Sequence, residues 1–242
     1  DTLCSKILRP FSEDLAITLG TANTLLYTRD GGIIVNEPSV VAIDTRNNEV
    51  LAVGREAKRA RGRTPKRIKT IRPMKSGVIA DFDTTSRMIV YFVNKAIGRS
   101  HLVKPSLVIS VPTGITGVEK KAVIDAAATA GAGRVSLIEE PMAAAIGADL
   151  PVTEPVGTLI ADIGGGTSEV AVITMSAITV SQSIRIAGDA MNEILLRMLR
   201  DKYRLDVGEN TAEHLKILLG STQPVPDLPD YAEISGRDLV SG

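Results

Sequence analysis

The sequence predicts an α/β protein made of two related halves. A hairpin pattern occurs twice: Leu15–Gly20 reads LAITLG and Leu159–Gly164 reads LIADIG, and a second apolar strand follows the glycine in both copies. Each half then continues into segments whose apolar residues have helical spacing, which is the layout of an α/β domain. The copies lie a domain's length apart, whereas solenoid repeats recur roughly every 20 to 50 residues.

The first half opens with a meander of predicted strands. Asp30-Gly31-Gly32 provides a turn, because glycine adopts backbone angles that other residues avoid. The strands are Leu15–Leu19, Thr24–Tyr27, Ile33–Val35 and Val40–Ile43.

A basic run follows the meander. Arg55–Arg72 contains nine lysine or arginine residues and a single acid, Glu56. Nucleic-acid surfaces usually interleave aromatic residues with such charges, and this run has none. We therefore expect a solvated or partner-facing surface and no nucleic-acid partner.

Three helices are predicted before the second hairpin. The first runs from Asp83 to Gly98, because its apolar residues recur on one helical face. The second opens at Thr116, whose hydroxyl forms a capping box with Glu119. Pro141 suits the first turn of the third helix. Strands Leu107–Val111 and Val135–Ile138 precede the second and third helices, and the third helix is Met142–Ala148.

The second half begins after a Pro- and Gly-containing linker, Leu150–Gly157. A helix from Asp189 to Tyr203 is expected to bury an apolar face, and Thr211 is expected to cap a further helix that ends at Gly220. The predicted strands are Thr158–Ile163, Glu169–Met175 and Ile178–Arg185, and the expected buried face of the helix is Ile194, Leu195, Met198 and Leu199.

Composition indicates a globular protein of the reducing cytosol. Of 242 residues, 44% are hydrophobic, the formal net charge is zero, and Cys4 is the only cysteine. No apolar run reaches membrane-spanning length and no secretory leader is visible. Leu3–Phe11 can be either a short amphipathic membrane anchor or a frayed terminus. Because the chain begins with aspartate and stops without a closing element, we expect a fragment.

The glycine-rich turns indicate phosphate binding. Successive glycines let backbone N–H groups turn toward an anion, and a nearby aspartate can hold the accompanying cation. One such turn, as in Asp162–Glu169 (DIGGGTSE), is no more than an ordinary hairpin signal. Its recurrence predicts two hairpins that face each other across a cleft and grip one polyphosphate with Mg²⁺.

Several motifs resemble the actin and heat-shock-chaperone ATPase superfamily and, within it, the MreB family of bacterial actin homologues. They include LGTANT (residues 19–24), EEPMAAAIG (139–147) and DIGGGTSE (162–169), and the resemblance runs from about Asp14 to Gly242. It implies an actin-like ATPase fold, with two ribonuclease-H-like domains around a nucleotide cleft and the C-terminal elements missing. Domain I would be residues 13–150, with a small inserted subdomain at about 33–72. Domain II would be 151–242, incomplete, with a small subdomain at about 186–242.

The resemblance also implies roles for individual residues. Glu140 would orient the attacking water, Thr167 would assist with its hydroxyl, and Asp162 would hold Mg²⁺ through water. Glu213 and Lys216 would contact the nucleoside of ATP or ADP, although a surface ion pair is the alternative. Glu140 can equally be a charge favoured at a helix N-terminus. The two turns that would cradle the phosphates are Gly20, Thr21, Ala22 and Asn23, and Gly164, Gly165 and Gly166.

Thr18 departs from the family pattern, which has aspartate at this position of the first hairpin. A threonine hydroxyl can bond a metal-bound water but brings no negative charge. We therefore expect Thr18 to be a weaker neighbour of the metal, with reduced Mg²⁺ dependence and slower hydrolysis.

By resemblance, the expected function is a filament-forming ATPase. The filament would lie in the cytoplasm against the inner face of the cell membrane and organise cell-wall synthesis and cell-shape proteins, with hydrolysis controlling the polymer. Membrane contact would use Leu3–Phe11 and the segment Gly98–Val103. A nucleotide-binding filament subunit with impaired hydrolysis is the leading alternative, ahead of a sugar or acetate kinase and of a chaperone.

Overall fold

The computed structural model describes residues 14–60, 65–97, 104–226 and 228–241. The chain divides into two compact units, the first ending at Arg185 and the second beginning at Ile186. The strands of the first unit are β1 (Asp14–Leu19), β2 (Asn23–Thr28), β3 (Gly32–Pro38), β4 (Val41–Asp44), β5 (Glu49–Val53), β6 (Ile68–Ile71), β7 (Met74–Lys75), β8 (Val78–Ile79), β9 (Ser106–Val111), β10 (Arg134–Glu139), β11 (Thr158–Ile163), β12 (Ser168–Thr174) and β13 (Ala177–Ile184). Its helices are α1 (Arg55–Ala60), α2 (Phe82–Ile97), α3 (Gly117–Thr129) and α4 (Glu140–Gly147).

A five-stranded sheet forms the centre of the first unit, in the order β10-β9-β1-β2-β3. β1, β2 and β3 are antiparallel, whereas β9 runs parallel to β1 and β10 parallel to β9. Along β1, Leu15, Ile17 and Leu19 are buried in the main hydrophobic core. Because side chains alternate along a strand, Thr18 lies on the opposite face.

Helix α2 covers the core face of this sheet. Met88, Ile89 and Phe92 of the predicted apolar stripe are fully enclosed in the core. The helix begins one residue before Asp83. The predicted stop at Gly98 lies outside the described residues.

Helix α3 begins with the predicted capping box. Thr116 Oγ1 accepts a hydrogen bond from Glu119 N at 3.2 Å, and Thr116 N donates to Glu119 Oε2 at 2.8 Å. This reciprocal pair satisfies donors that a helix N-terminus leaves free. The local sequence is therefore sufficient to fix where α3 starts.

The basic run is partly folded into elements that its charge pattern does not predict. Residues 55–60 form helix α1, and β6 pairs with β4 in a small sheet of order β5-β4-β6. Their apolar contacts are few: Ala57, Val40 and Ala42 are buried together, with Ile68 packed against them. An apolar pattern this short shows little of the periodicity from which a helix or strand is predicted.

The second hairpin belongs to an antiparallel sheet of order β11-β12-β13. One face is buried through Glu169, Ala171 and Ile173 of β12. Asp162 lies directly opposite Glu169 in the register of β11 and β12, so the two carboxyl side chains share a face. The other face exposes large apolar side chains, namely Leu159, Ile163, Val170, Val180 and Ile184.

The second unit contains α5 (Gly188–Tyr203), β14 (Leu205–Asp206), α6 (Glu209–Leu219) and β15 (Arg237–Asp238). Two sequence predictions are wrong here. Ile194 and Met198 are 61% and 44% exposed, because α5 packs mainly through Asn192 and Leu199. The N-cap of α6 is Gly208, three residues before the predicted cap at Thr211.

The second unit has the same bounds as the small subdomain expected at 186–242. The compact first unit, however, extends beyond the boundary expected near residue 150, so the assignment of domains at 13–150 and 151–242 stays a prediction. Among the described helices, none has the length and apolar character that a membrane crossing requires.

Candidate functional site

The turns of the two repeated hairpins pack against each other. A Cβ placed on Gly165 would lie 2.6 Å from Ala22 Cβ, and one on Gly166 would lie 2.8 Å from Thr21 Cβ. Carbon atoms do not approach this closely, so the contact requires glycine at both positions. Residues of both turns also line one cavity.

The first turn is fixed by hydrogen bonds on its outer side. Ser39 Oγ donates to the carbonyl oxygen of Gly20 at 2.6 Å, and Ser39 N donates to that of Ala22 at 2.9 Å. Thr21 Oγ1 accepts a bond from Gly77 N at 2.9 Å. The carbonyl oxygens of Gly20 and Ala22, which would repel an anion, are therefore engaged with the protein.

Two hydroxyl side chains lie side by side beneath the turns. Thr18 on β1 is in direct register with Ser110 on β9. Thr18 Oγ1 accepts a hydrogen bond from Leu25 N at 3.2 Å, which ties it across its own hairpin. Ser110 is 6% exposed, and its Oγ has no hydrogen-bond partner within the described residues.

Glu169 is a buried carboxyl group that sequence reasoning missed. It is 1% exposed, and its Oε1 accepts bonds from Thr113 N at 3.0 Å and Thr113 Oγ1 at 3.2 Å. Its Oε2 is buried without a partner in the part of the chain that the structure describes. Glu169 therefore links β12 to the segment that follows β9.

Glu140 is the first residue of α4 and is partly buried. Burial raises the pKa of its carboxyl group to about 8, and the nearby carboxyl groups of Glu169 and Asp162 add to the effect. The helix N-terminus favours the charged form. Burial and carboxylate repulsion outweigh it here, so Glu140 binds a proton far more readily than an exposed glutamate does.

These groups line one cavity of about 380 Å³. The structure thus brings together every predicted site residue of the first unit. Five residues that were not predicted also line it, namely Leu25, Gly77, Ser110, Ala143 and Ala144. The predicted residues in the cavity wall are Thr18, Gly20, Thr21, Ala22, Asn23, Glu140, Asp162, Gly164, Gly165, Gly166 and Thr167.

Thr167 lines a second cavity as well, of about 260 Å³. Ser76, Thr113 and Arg185 contribute to that wall. Gly77 lies between the Thr167 and Pro112 side chains, since a Cβ there would lie 2.8 Å from Thr167 Cγ2 and 2.7 Å from Pro112 Cγ. The Thr167 side chain consequently lies close to the backbone of Gly77.

Glu213 and Lys216 form the predicted ion pair on α6 of the second unit. Glu213 Oε2 accepts from Lys216 Nζ at 2.8 Å and from Asn192 Nδ2 at 2.6 Å. Lys216 Nζ also donates to the carbonyl oxygen of Gly188 at 3.2 Å. The pair thus joins α6 to the start of α5, and its contact with a nucleoside stays a prediction.

The polar groups of the cavity suit a hydrated magnesium ion. No group of three or more His, Cys, Asp or Glu side chains in the described ranges could hold a metal by itself. Mg²⁺ usually keeps several waters and binds through one or two carboxylates together with phosphate oxygens. Asp162 provides one such carboxylate, and Thr18 and Ser110 provide neutral hydroxyls.

Comparison of structures places the fold in the actin-like class. The structure matches MreB5 of Spiroplasma citri bound to ADP with a TM-score of 0.88 and 33% identity, covering 96% of this chain and 69% of that one. MreB5 bound to AMPPNP gives a TM-score of 0.85 with the same coverage. The MamK double helical filament shares the fold at a TM-score of 0.70 and 22% identity, over 85% of this chain and 64% of that one.

The sequence narrows this class to one family. The family described as MreB/Mbl protein matches residues 12–242, and the chain belongs to it. The cell shape-determining protein MreB of Escherichia coli K12 is 48% identical over 237 residues, which cover 96% of this chain and 69% of the relative. Mbl of Bacillus subtilis 168 is 47% identical over 232 residues with the same coverage. The resemblance predicted from the motifs is confirmed.

Proposed function

We propose that this chain is an actin-like ATPase subunit that binds ATP in the cavity lined by the two hairpin turns and polymerises into filaments. The observation that carries the proposal is the direct contact of Gly165 and Gly166 with Ala22 and Thr21, which creates a glycine-walled crevice beside Asp162 and Glu140. The relatives bound to ADP and to AMPPNP support a nucleotide as the guest.

Each side chain has a task in this proposal. When bound, ATP supplies the phosphoanhydride bond and Mg²⁺ neutralises its phosphate charge. The backbone N–H groups of the two turns bind the phosphate oxygens. Asp162 would hold a cation-bound water, while Glu140 would orient the attacking water. The Thr167 hydroxyl assists Glu140 by fixing that water.

We place the filament on the inner face of the cell membrane, where it would organise cell-wall synthesis and cell-shape proteins. Support comes from the relatives that are named cell shape-determining proteins and from the fold shared with the MamK filament. The two expected membrane segments, residues 3–11 and 98–103, lie outside the described residues. Liposome co-sedimentation with and without residues 1–11 tests this part, and no pelleting of either form would contradict it.

A second candidate is a filament subunit that binds nucleotide but hydrolyses it poorly. Thr18 favours it, because this neutral hydroxyl, which already bonds Leu25 N, lines the same cavity as the carboxylate of Asp162. This candidate shares the site and the polymer with the first. It differs only in turnover.

One experiment tests both candidates. The purified chain is mixed with ATP and Mg²⁺, and polymer is followed by light scattering and electron microscopy while phosphate release is measured in the same sample. ATP-dependent polymer with phosphate release supports the ATPase, and polymer without release supports the second candidate. A chain that binds no ATP in equilibrium titration contradicts both.

A further inference from the structure

The cavity floor contains a hydroxyl group whose hydrogen-bonding capacity the protein does not use. Ser110 is 6% exposed and lies on β9, an inner strand of the five-stranded sheet. Its Oγ is buried and makes no hydrogen bond to any described residue. An unpaired buried hydroxyl costs free energy, so such groups in native proteins usually have a water or ligand as partner.

The register of the sheet places this hydroxyl beside Thr18, a predicted site residue. Ser110 pairs with Thr18 on one side and with Ile138 on the other. Paired residues of parallel strands point to the same face, so the Ser110 and Thr18 side chains are neighbours. Glu140 follows Ile138 by two residues along the chain, and all three polar residues line the same cavity.

The two hydroxyls complement each other chemically. Thr18 Oγ1 already accepts a bond from Leu25 N and keeps a second lone pair. Ser110 Oγ can accept as well. A water whose oxygen is bound to Mg²⁺ has both hydrogens free, so it could donate one to Ser110 and the other to Thr18, and Mg²⁺ characteristically keeps such waters.

We propose that Ser110 is a further binding residue of this pocket: its hydroxyl, paired with that of Thr18, hydrogen-bonds a water of the hydrated cation that accompanies the polyphosphate. The inference rests on the proposed function, since it needs ATP with Mg²⁺ in the cavity. In this proposal the hydroxyls of Thr18 and Ser110, on adjacent strands, take the role that the family's aspartate on β1 would otherwise have.

The test measures ATP affinity calorimetrically, in excess Mg²⁺ and in EDTA, for the parent chain and for Ser110→Ala. We expect the variant to bind ATP about three- to tenfold more weakly in Mg²⁺, which is the effect of one lost hydrogen bond, and to equal the parent in EDTA. Ser106→Ala is the matched control. Ser106 lies on the same face of β9 but does not line the cavity, so its substitution should change neither value.

Two further variants separate binding from folding. Ser110→Cys keeps the shape of the side chain, with a larger sulfur atom that hydrogen-bonds weakly, so it should reproduce the loss of affinity without leaving an empty space. Because Ser110 Oγ bonds no described group, neither variant should lower the melting temperature of the nucleotide-free chain. Thr18→Val combined with Ser110→Ala should lose less affinity than the sum of the single losses, because both hydroxyls would hold one water.

The outcomes separate this inference from the proposed function. If the parent binds ATP and Ser110→Ala binds it equally well in Mg²⁺, the inference is overturned and the proposed function stands. An equal loss in Mg²⁺ and in EDTA would mean that Ser110 contacts the nucleotide itself, which also contradicts the cation assignment. A parent chain that does not bind ATP would overturn both.

Discussion

At Thr18 the chain carries a hydroxyl where the second hairpin carries the Asp162 carboxylate. The two residues occupy matching positions of the repeated hairpins, and both line the cavity. A carboxylate beside a hydrated cation forms charge-assisted hydrogen bonds, which are stronger than those of a neutral hydroxyl. The charge at this one position should therefore influence turnover.

We predict that Thr18→Asp raises the rate of phosphate release by about tenfold, since one charge-assisted bond contributes roughly 1.5 kcal/mol and 1.36 kcal/mol corresponds to a factor of ten. The rise should be larger at limiting Mg²⁺. Phosphate release under saturating ATP measures the effect, with Thr28→Asp at the far end of the same hairpin as the control. Equal rates for parent and Thr18→Asp would show that the charge is unimportant.

The raised pKa of Glu140 predicts that the stability of the folded chain depends on pH. Its pKa is about 8 in the folded chain against an ordinary value of 4.5, so between these pH values the folded chain binds a proton that the unfolded chain has released. The contribution of Glu140 to the free energy of unfolding is fully present below about pH 4.5 and falls as pH rises toward 8. Glu140→Gln, which cannot ionise, should remove that part of the decline.

The measurement is the melting temperature of the nucleotide-free chain at pH 5.5 and pH 8.5. The difference between the two should be smaller for Glu140→Gln than for the parent chain. Glu154→Gln removes an exposed carboxyl group and should leave the difference unchanged. A parent and Glu140→Gln with identical pH dependence would contradict the burial of this carboxyl group.

At the residue scale, the sequence predicts the cavity residues that stand in motifs, but it does not predict Ser110 on the cavity floor. The glycine turns, Asp162 and Glu140 stand in motifs that can be recognised, and the structure brings them together. Ser110 has no motif, because its position is decided by pairing with Thr18 across 92 residues of chain. Glu169 carried a usable signal: it alternates with Ala171 and Ile173, which predicts a carboxyl group on the buried face of a strand.

At the element scale, the contact between the two hairpin turns decides the shape of the site. Gly165→Ala would place a Cβ 2.6 Å from Ala22 Cβ and force the turns apart. We predict an ATP affinity reduced by about tenfold or more, equivalent to roughly 1.4 kcal/mol of binding free energy. Equilibrium titration with ATP measures the effect.

The control for this substitution is Gly117→Ala. Gly117 begins α3, and a Cβ there meets no atom within 4 Å, so ATP affinity should not change. If Gly165→Ala binds ATP as tightly as the parent chain, the turns do not shape the binding site.

Element boundaries were predictable where local chemistry determines them. The capping box fixes the start of α3, and the apolar stripe fixes α2. In contrast, α1 and β6 form in a highly charged run, where contacts of Ala57 and Ile68 with β4 and β5 outweigh the weak local pattern. The apolar residues of α5 have helical spacing, yet two of the four expected to be buried are exposed, since periodicity does not show which face a neighbour covers.

At the scale of the whole molecule, the repeated hairpin is the feature that links sequence to function. The repeat predicted two related halves, the structure joins both hairpins in the first compact unit, and the MreB/Mbl family match extends over residues 12–242. The position of the second unit's Glu213 and Lys216 in a nucleotide complex could not be predicted from periodicity. Long-range placement depends on contacts that no local pattern encodes.

The central claim is that the two turns bind the phosphates of ATP. The most direct measurement is a titration of the ¹⁵N-labelled chain with ATP and Mg²⁺, and in parallel with adenosine, followed by amide chemical shifts. The amides of residues 20–23 and 164–166 are predicted to shift together with ATP and to stay in place with adenosine. ATP binding that leaves both sets of amides unshifted would contradict the account.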